Sequence, residues 1–345
     1  MTHELAKSIT NLATERYHFA LASICRAEPS NYADQYRSWL TDAKQGEMNY
    51  LANNVEVRLD PRQFLEGCQS IIMVADQYAT RNDPPDPTQH KRAASQQDCA
   101  TGSSPASAST SNPKGRIARY ARGDDYHKSI KKRLHALADE LRAEHPGHQF
   151  RAFVDTAPVL EREHAARAAL GWVAKNTLLI NPTLGSYLFL AGIATTLPID
   201  AQQPQIPDHC GTCTRCIDAC PTDALTPYSL DATKCISYLT IEHRSDIPEH
   251  FHTAMQDWIY GCDICQEVCP HNSPRTDEMN IGQAHEHYQP KRSSFDLLEV
   301  LGWTEEDRQA AFTRSAMKRA KLDMMKRNAR IAAMNQGTQF HELRP

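Results

Sequence analysis

No stretch of this 345-residue chain is apolar for long enough to span a membrane: the runs at 178–180 and 187–196 are short and are interrupted by Asn181, Pro182 and Gly192. A charge excess of one sign is also missing, since 38 basic and 42 acidic residues leave a formal charge of -4 and so exclude a polycationic nucleic-acid binder. Any contact with nucleic acid must then be a local patch. No two glycines are separated by a single residue, which removes both the G-x-G-x-x-G dinucleotide turn and the kinase-type loop. The G-K-[ST] phosphate loop and the H-E-x-x-H zinc motif are missing as well, so neither a P-loop nucleotidase nor a zinc hydrolase has support. The first ten residues contain Lys7 but no twin arginine and no apolar run before a small-residue cleavage site. The cytoplasm is the expected location, without membrane attachment.

Cysteine, by contrast, is plentiful and clustered. There are eleven, and eight of them fall between Cys210 and Cys269, which in a reducing compartment indicates metal ligation rather than disulfides. Cys210, Cys213, Cys216, Cys220 and Pro221 form a C-x2-C-x2-C-x3-C-P run, the bacterial ferredoxin pattern for [4Fe-4S] clusters. Cys262, Cys265, Cys269 and Pro270 echo it as C-x2-C-x3-C-P, and Cys235 supplies the missing thiolate from upstream. In such runs the last cysteine ligates the other cluster. One cluster is therefore expected on Cys210, Cys213, Cys216 and Cys269, and the other on Cys220, Cys235, Cys262 and Cys265. Structural zinc also takes C-x2-C pairs, but usually as two pairs across a longer loop. Cys25, Cys68 and Cys99 are isolated and read as plain thiols. Two clusters imply a one-electron relay.

Periodicity divides the rest. Residues 2–51 are helical and amphipathic in pattern, and 68–78 read as a buried strand. The Pro, Ser, Ala, Thr, Asn and Gln composition of 80–115 predicts a mobile loop. From 126 to 143, Ile130, Leu134, Leu137 and Leu141 recur at helix spacing beside exposed basic residues. Strands are predicted at 149–154, 177–180 and 186–197, a helix at 159–170, and helices in the tail at 295–336. The expected organisation is an α/β (α+β) domain over 1–200, a ferredoxin-like two-cluster domain over 201–275 and a short helical region over 276–345. About 200 residues before the first cluster ligand are too many for an electron carrier alone.

Five segments carry a resemblance to a known family: I-A-R-Y-A-R-G-D-D-Y-H-K at 117–128, V-D-T-A-P-V-L-E-R at 154–162, G-W-V-A-K-N-T at 171–177, L-D-A-T-K-C-I-S-Y-L-T-I-E at 230–242 and G-C-D-I-C-Q-E-V-C-P at 261–270. In this order, and over nearly the whole chain outside 80–115, they resemble epoxyqueuosine reductase. The resemblance implies a cobalamin-binding catalytic domain at 1–200 and an oxidoreductase that converts the epoxide of epoxyqueuosine, at the wobble position of certain tRNAs, to queuosine, the last step of queuosine biosynthesis. It implies electrons passing from the two clusters to cobalt, with Asp155 of V-D-T-A-P as proton donor. Taken from its neighbours alone, Asp155 reads as a helix cap before Pro158. The cobalamin contacts implied are Arg58, Asp155, Lys175, Asn176, Ser186, Ser237 and Asp263. Asp125-Tyr126-His127 is similar to the D-x-H-x-x-G loop of other cobalamin proteins, but Ile130 stands at the glycine position and His127 is not nominated as a cobalt ligand. Ala174, His271 and the long 80–115 segment depart from the family pattern.

The expected partners are tRNA and an unidentified electron donor, with the chain a monomer. Basic residues crowd 114–133, with eight Lys or Arg, and 314–330, with seven, and either stretch could follow phosphates. The resemblance favours the tail. Two alternatives remain: a reductive-dehalogenase-like cobalamin and iron-sulfur enzyme, or an electron-transfer iron-sulfur protein.

Overall fold

The expected strand at 68–78 forms as Ser70–Gln77, and all eight of its residues are buried. It owes this to a position inside a sheet covered on both faces. In the computed structural model, which describes residues 2–81, 83, 112–200, 204–273 and 284–338, four strands lie in the order Leu21–Arg26, Ser70–Gln77, Leu188–Thr195, Phe150–Val154. Every neighbouring pair is antiparallel, with Ile72 opposite both Ile24 and Ile193. The chain is therefore a mixed α and β fold built on an antiparallel sheet, not a wound parallel one.

Side-chain alternation explains how one apolar run serves two layers. Ile72 and Val74 join Ile130, Leu134, Leu137, Ala138 and Leu141 of the helix Tyr126–Glu144, the face read from periodicity. Ile71, Met73 and Ala75 point to the other side, against Ala165, Ala168 and Leu170 in and after the helix Glu161–Arg167. Gly192 lies where Leu188–Thr195 approaches its neighbours closely: a Cβ there would meet Ile72 O at 2.7 Å and the Phe153 ring at 2.6 Å.

Two expectations need correction. Residues 2–51 are not helical throughout, because Leu21–Arg26 forms the edge strand; six residues with apolar Leu21, Ala22, Ile24 and Cys25 fit either period. The linear partition at 200 is also crossed by hydrogen bonds. Lys114–Ile117 pairs in parallel with Trp258–Tyr260 and antiparallel with Ser294–Asp296, so the first segment shares a sheet with the cysteine segment and the tail. One core then runs from Ile117 and Ala121 through Tyr260 to Phe295, Met325 and Ala329. The tail helix Leu322–Asn335 is hooked to this sheet by Asn328, fully buried, whose Nδ2 donates to Thr240 O at 2.9 Å and Ile259 O at 3.0 Å.

The 80–115 loop and Cys99 lie largely or wholly outside the described residues. Cys25 and Cys68 are buried, and desolvation pushes their thiols up to about 12 and about 11, as plain core thiols behave. Among the described residues no helix is long and apolar enough to cross a membrane.

Candidate functional site

Two short helices, Arg215–Asp218 and Ile264–Glu267, each carry the next-to-last cysteine of a run, Cys216 and Cys265, and Cys220-Pro221 and Cys269-Pro270 follow them. That turn carries the last sulfur away from its own run. Cys269 has Cys210, Cys216 and Cys213 as its charge neighbours, and these four line a cavity of about 50 Å³. Cys262 neighbours Cys265 and Cys235, Cys235 neighbours Cys220, and Cys265 neighbours Cys235 and Cys220. Cys265 also feels Cys216 of the other group, so the two groups adjoin. Backbone N–H groups aim at the sulfurs: Lys175 at Cys210, Ser237 and Tyr238 at Cys235, Ile264 at Cys262 and His271 at Cys269. Burial raises the thiol pKa of Cys262 and Cys265 well above the ordinary value, so holding them as thiolates takes a cationic centre at the sulfurs.

The sheet places the second element of the site. Asp155 follows directly on the strand Phe150–Val154 and has φ +47°, in the left-handed region, while Thr156 N–H donates to Val154 O at 2.5 Å and closes a γ-turn around it. Such a backbone costs roughly 1–3 kcal/mol and is kept where surrounding contacts over-determine it. Those contacts are polar. His127 Nε2 meets Asp155 Oδ2 at 2.9 Å, His127 Nδ1 meets Asp125 Oδ1 at 2.8 Å, and Glu161 Oε1 accepts the Asp155 N–H at 2.6 Å. Asp125 also caps the helix Tyr126–Glu144 by accepting the His127 N–H at 3.2 Å, so the cap that starts the helix also orients the imidazole. Tyr126 stacks on Phe189 of the sheet at 3.9 Å, and on His127 at 4.0 Å.

Charge follows from this geometry. Desolvation disfavours the imidazolium, but hydrogen bonds from Asp125 and Asp155 and their charges outweigh it and raise the His127 pKa to about 9. The same hydrogen bond holds the Asp125 carboxyl below the usual range. Desolvation, aided by the Asp155 charge, pushes Glu161 up to about 8. Asp155 does not cap a helix: the next begins at Glu161, with Leu160 at its cap. Arg319 of the basic tail and Tyr50 lie within electrostatic reach of Asp155, with the Arg319 guanidinium 5.2 Å above the Tyr50 ring and bound to Glu242 at 2.7 Å.

The other named residues take varied places. Lys175 Nζ donates to Gly211 O at 2.6 Å and Cys213 O at 3.1 Å, and Asn176 Nδ2 to Cys265 O at 3.4 Å. Their side chains hold cluster loops. Ser186 is buried, donating to Gln266 Oε1 at 2.9 Å and accepting from Asn272 Nδ2 at 2.8 Å. Asp263, next to Cys262 in the chain, is buried, accepts the Arg119 N–H at 2.6 Å, and has its carboxyl pKa raised by desolvation. Ser237 presents its N–H to Cys235. Arg58 donates to Tyr50 O at 3.4 Å, and its Nε is buried without a partner.

Residues 209–272 match the model of a 4Fe-4S double cluster binding domain, and 58–156 match that described as "Epoxyqueuosine reductase QueG, DUF1730". The epoxyqueuosine reductase of Leadbetterella byssophila is 39% identical over 298 residues, covering 86% of this chain and 87% of that protein. The chain belongs to the epoxyqueuosine reductase family. The Escherichia coli K12 epoxyqueuosine reductase is 34% identical over 338 residues, 96% of this chain and 82% of that one. A crystal structure of selenomethionine-labelled epoxyqueuosine reductase superposes with TM-score 0.80 at 25% identity, covering 98% of this chain and 83% of that one. A structure of epoxyqueuosine reductase with an epoxyqueuosine-modified tRNA-Tyr stem loop has the same fold, at TM-score 0.80 and 24% identity over 98% of this chain and 84% of that one.

Epoxyqueuosine reductases carry two [4Fe-4S] clusters and cobalamin. The two thiol groups fit clusters in number, grouping and N–H donors. For cobalamin, the half-buried Tyr126, Glu161 and Cys265 leave part of their surface open to solvent. The unpartnered Arg58 Nε supplies a buried donor for an oxygen of such a ligand.

Sequence reasoning missed Asp125 and Glu161, set His127 aside, and took Arg319 only as part of the basic stretch 314–330. Asp125 and His127 flank a helix start at cap spacing, and Glu161 stands in the V-D-T-A-P-V-L-E-R motif, which are the available signals. Within the stretch 114–133, Arg116 and Arg122 are buried and Arg133 is paired with buried Asp76, while Lys128, Lys131 and Lys132 are exposed.

Proposed function

We propose that the chain reduces the epoxide of epoxyqueuosine in tRNA to queuosine, with Asp155 delivering the proton to the departing oxygen. Two electrons and two protons enter, the carbon–oxygen bonds break, and the oxygen leaves as water. When bound, cobalamin reduced through the two clusters supplies low-valent cobalt to attack or reduce the epoxide carbon. What the protein adds is a proton at a chosen place. A carboxyl group donates only when it carries a proton, and His127, protonated through neutral pH, presents Nε2–H to Asp155 at 2.9 Å. That hydrogen bond is the single observation that carries the reading: the imidazolium proton of His127 passes to the departing oxygen by way of the Asp155 carboxylate, while Asp125 stabilises the imidazolium.

Several features support the remaining parts. Cys210, Cys213, Cys216 and Cys269 are proposed for one cluster and Cys220, Cys235, Cys262 and Cys265 for the other. Arg58 is proposed for cobalamin through its unpartnered Nε. Within the tail, Lys318 and Lys321 are exposed and paired with no carboxylate among the described residues, which suits phosphate contacts, and Arg319 joins this surface to Asp155. The test is conversion of epoxyqueuosine-containing tRNA by anaerobically reconstituted enzyme with a strong reductant, followed by nucleoside chromatography. Asp155→Asn should lose roughly 100-fold or more of the rate, the scale of a general acid. Wild-type turnover by that variant removes Asp155 from the mechanism, and no conversion by wild type removes the substrate.

A further inference from the structure

The aim of Asp155 depends on a backbone shape that an aspartate adopts reluctantly, φ +47° inside a three-residue turn. Its half-exposed side chain touches His127, which fixes where the carboxyl ends but not how the backbone beneath it is bent. We propose that Glu161 is a positioning residue for the reaction: its carboxyl oxygen accepts the Asp155 backbone N–H at 2.6 Å and so holds the turn that presents Asp155. This rests on Asp155 being the proton donor.

The helix Glu161–Arg167 is built to serve as the fixed side of such a latch. Its first three residues are bolted in three directions. Glu161 faces the turn. Arg162 donates to Thr177 O and to Thr177 Oγ1, the latter at 3.2 Å, tying the helix to the segment that carries Lys175 and Asn176. Glu163, buried, accepts from Ser30 Oγ at 2.5 Å and Asn31 N–H at 2.7 Å and pairs with Arg167 at 2.7 Å. A carboxyl at the end of this frame cannot follow the turn if the turn relaxes, so the hydrogen bond either holds the turn or breaks.

Two carboxyl groups side by side would repel if both were charged. Glu161, lifted to about 8 by desolvation and by Asp155, is mostly the neutral acid near pH 7, and its carbonyl oxygen still accepts an N–H. A glutamine offers the same oxygen at the same reach. An alanine offers none, and an aspartate falls one methylene short.

The experiment compares Glu161→Gln, Glu161→Ala and Glu161→Asp in the reconstituted holoenzyme, and follows amide hydrogen exchange at Asp155 and Thr156 without substrate. Ala and Asp should lower kcat roughly 10- to 100-fold, as expected for a misplaced catalytic group, with KM for tRNA within about threefold. Exchange at the two amides should accelerate about tenfold or more in both. Gln should recover kcat to within about threefold of wild type with protected amides. Iron and cobalamin content checks folding, and should Ala lose either, the Asp variant carries the comparison. Wild-type kcat and exchange in Ala or Asp overturn the proposal, as does a Gln variant as impaired as Ala. If exchange responds as stated but Asp155→Asn turns over normally, the latch stands and the proton-donor reading falls.

Discussion

Raising the pH through the titration of His127 should strip the site of its proton store and loosen the fold together. The His127 pKa stands at about 9 against an ordinary 6.5. A shift of that size corresponds to roughly 3 kcal/mol if taken whole. Its ring is 32% exposed, so solvent screening reduces the contribution to roughly 1–2 kcal/mol. Because the folded pKa lies above the unfolded one, this stabilisation is complete below about 6.5, declines as pH rises, and is gone above about 9. Wild type should therefore lose roughly 1–2 kcal/mol of unfolding free energy relative to His127→Gln between pH 6 and pH 9.5, measured by denaturant titration anaerobically with iron absorbance as a second probe. Nitrogen-15 histidine NMR, assigned by difference against the same variant, should show the ring titrating near 9, and Asp125→Asn or Asp155→Asn should each lower that value by about 1 unit. Single-turnover rates should fall above the same pH. A ring titrating near 6.5, or identical stability profiles for wild type and His127→Gln, refutes the coupling of the imidazolium to both carboxylates.

The remaining expectations concern the clusters and the frame. Cys269→Ser should perturb the same cluster signal in electron paramagnetic resonance as Cys213→Ser, and Cys220→Ser the same one as Cys265→Ser; pairing by sequence run instead would refute the crossed assignment. Glu163→Ala leaves Arg167 with only the Glu28 and Pro29 carbonyls and strips Ser30 and Asn31 of their acceptor, and should destabilise by roughly 1–3 kcal/mol in urea titration, where less than about 0.5 would show the pair to be idle. Gly192→Ala drives a Cβ to 2.7 Å from Ile72 O, a backbone atom that cannot step aside, and should lower stability by roughly 1–3 kcal/mol in the same assay.

What could be read in advance was what the chain writes locally. The helix Tyr126–Glu144 declares its buried face through Ile130, Leu134, Leu137 and Leu141, because one helix must hide one stripe. Cluster cysteines are legible for a related reason: a cubane demands thiolates at spacings set by a single turn, and only Cys235 had to be recruited from a distance. The strand Leu21–Arg26 was not legible, since its neighbours in the sheet, not its own six residues, choose strand over helix. Asp155 and His127 are 28 residues apart and meet because a strand end and a helix start face each other across the sheet edge. Nothing local encodes that. Lys175 and Asn176 show the converse, for a motif known by resemblance named the residues while the structure turns both side chains to the carbonyls of cluster loops.

That last placement ties the two halves of the chemistry to one short turn. Lys175 grips the loop of Cys213, Asn176 the carbonyl of Cys265, and Thr177, itself at φ +66°, receives Arg162 from the helix that holds Asp155. Electron delivery requires the clusters at a fixed distance from the reacting carbon, and the proposed proton delivery requires Asp155 at a fixed distance from its oxygen. Separate loops could satisfy each demand and still drift apart. With both fastened to residues 175–177, displacement of one side displaces the other, and a β-branched threonine in the left-handed region is the strain that this shared anchor tolerates.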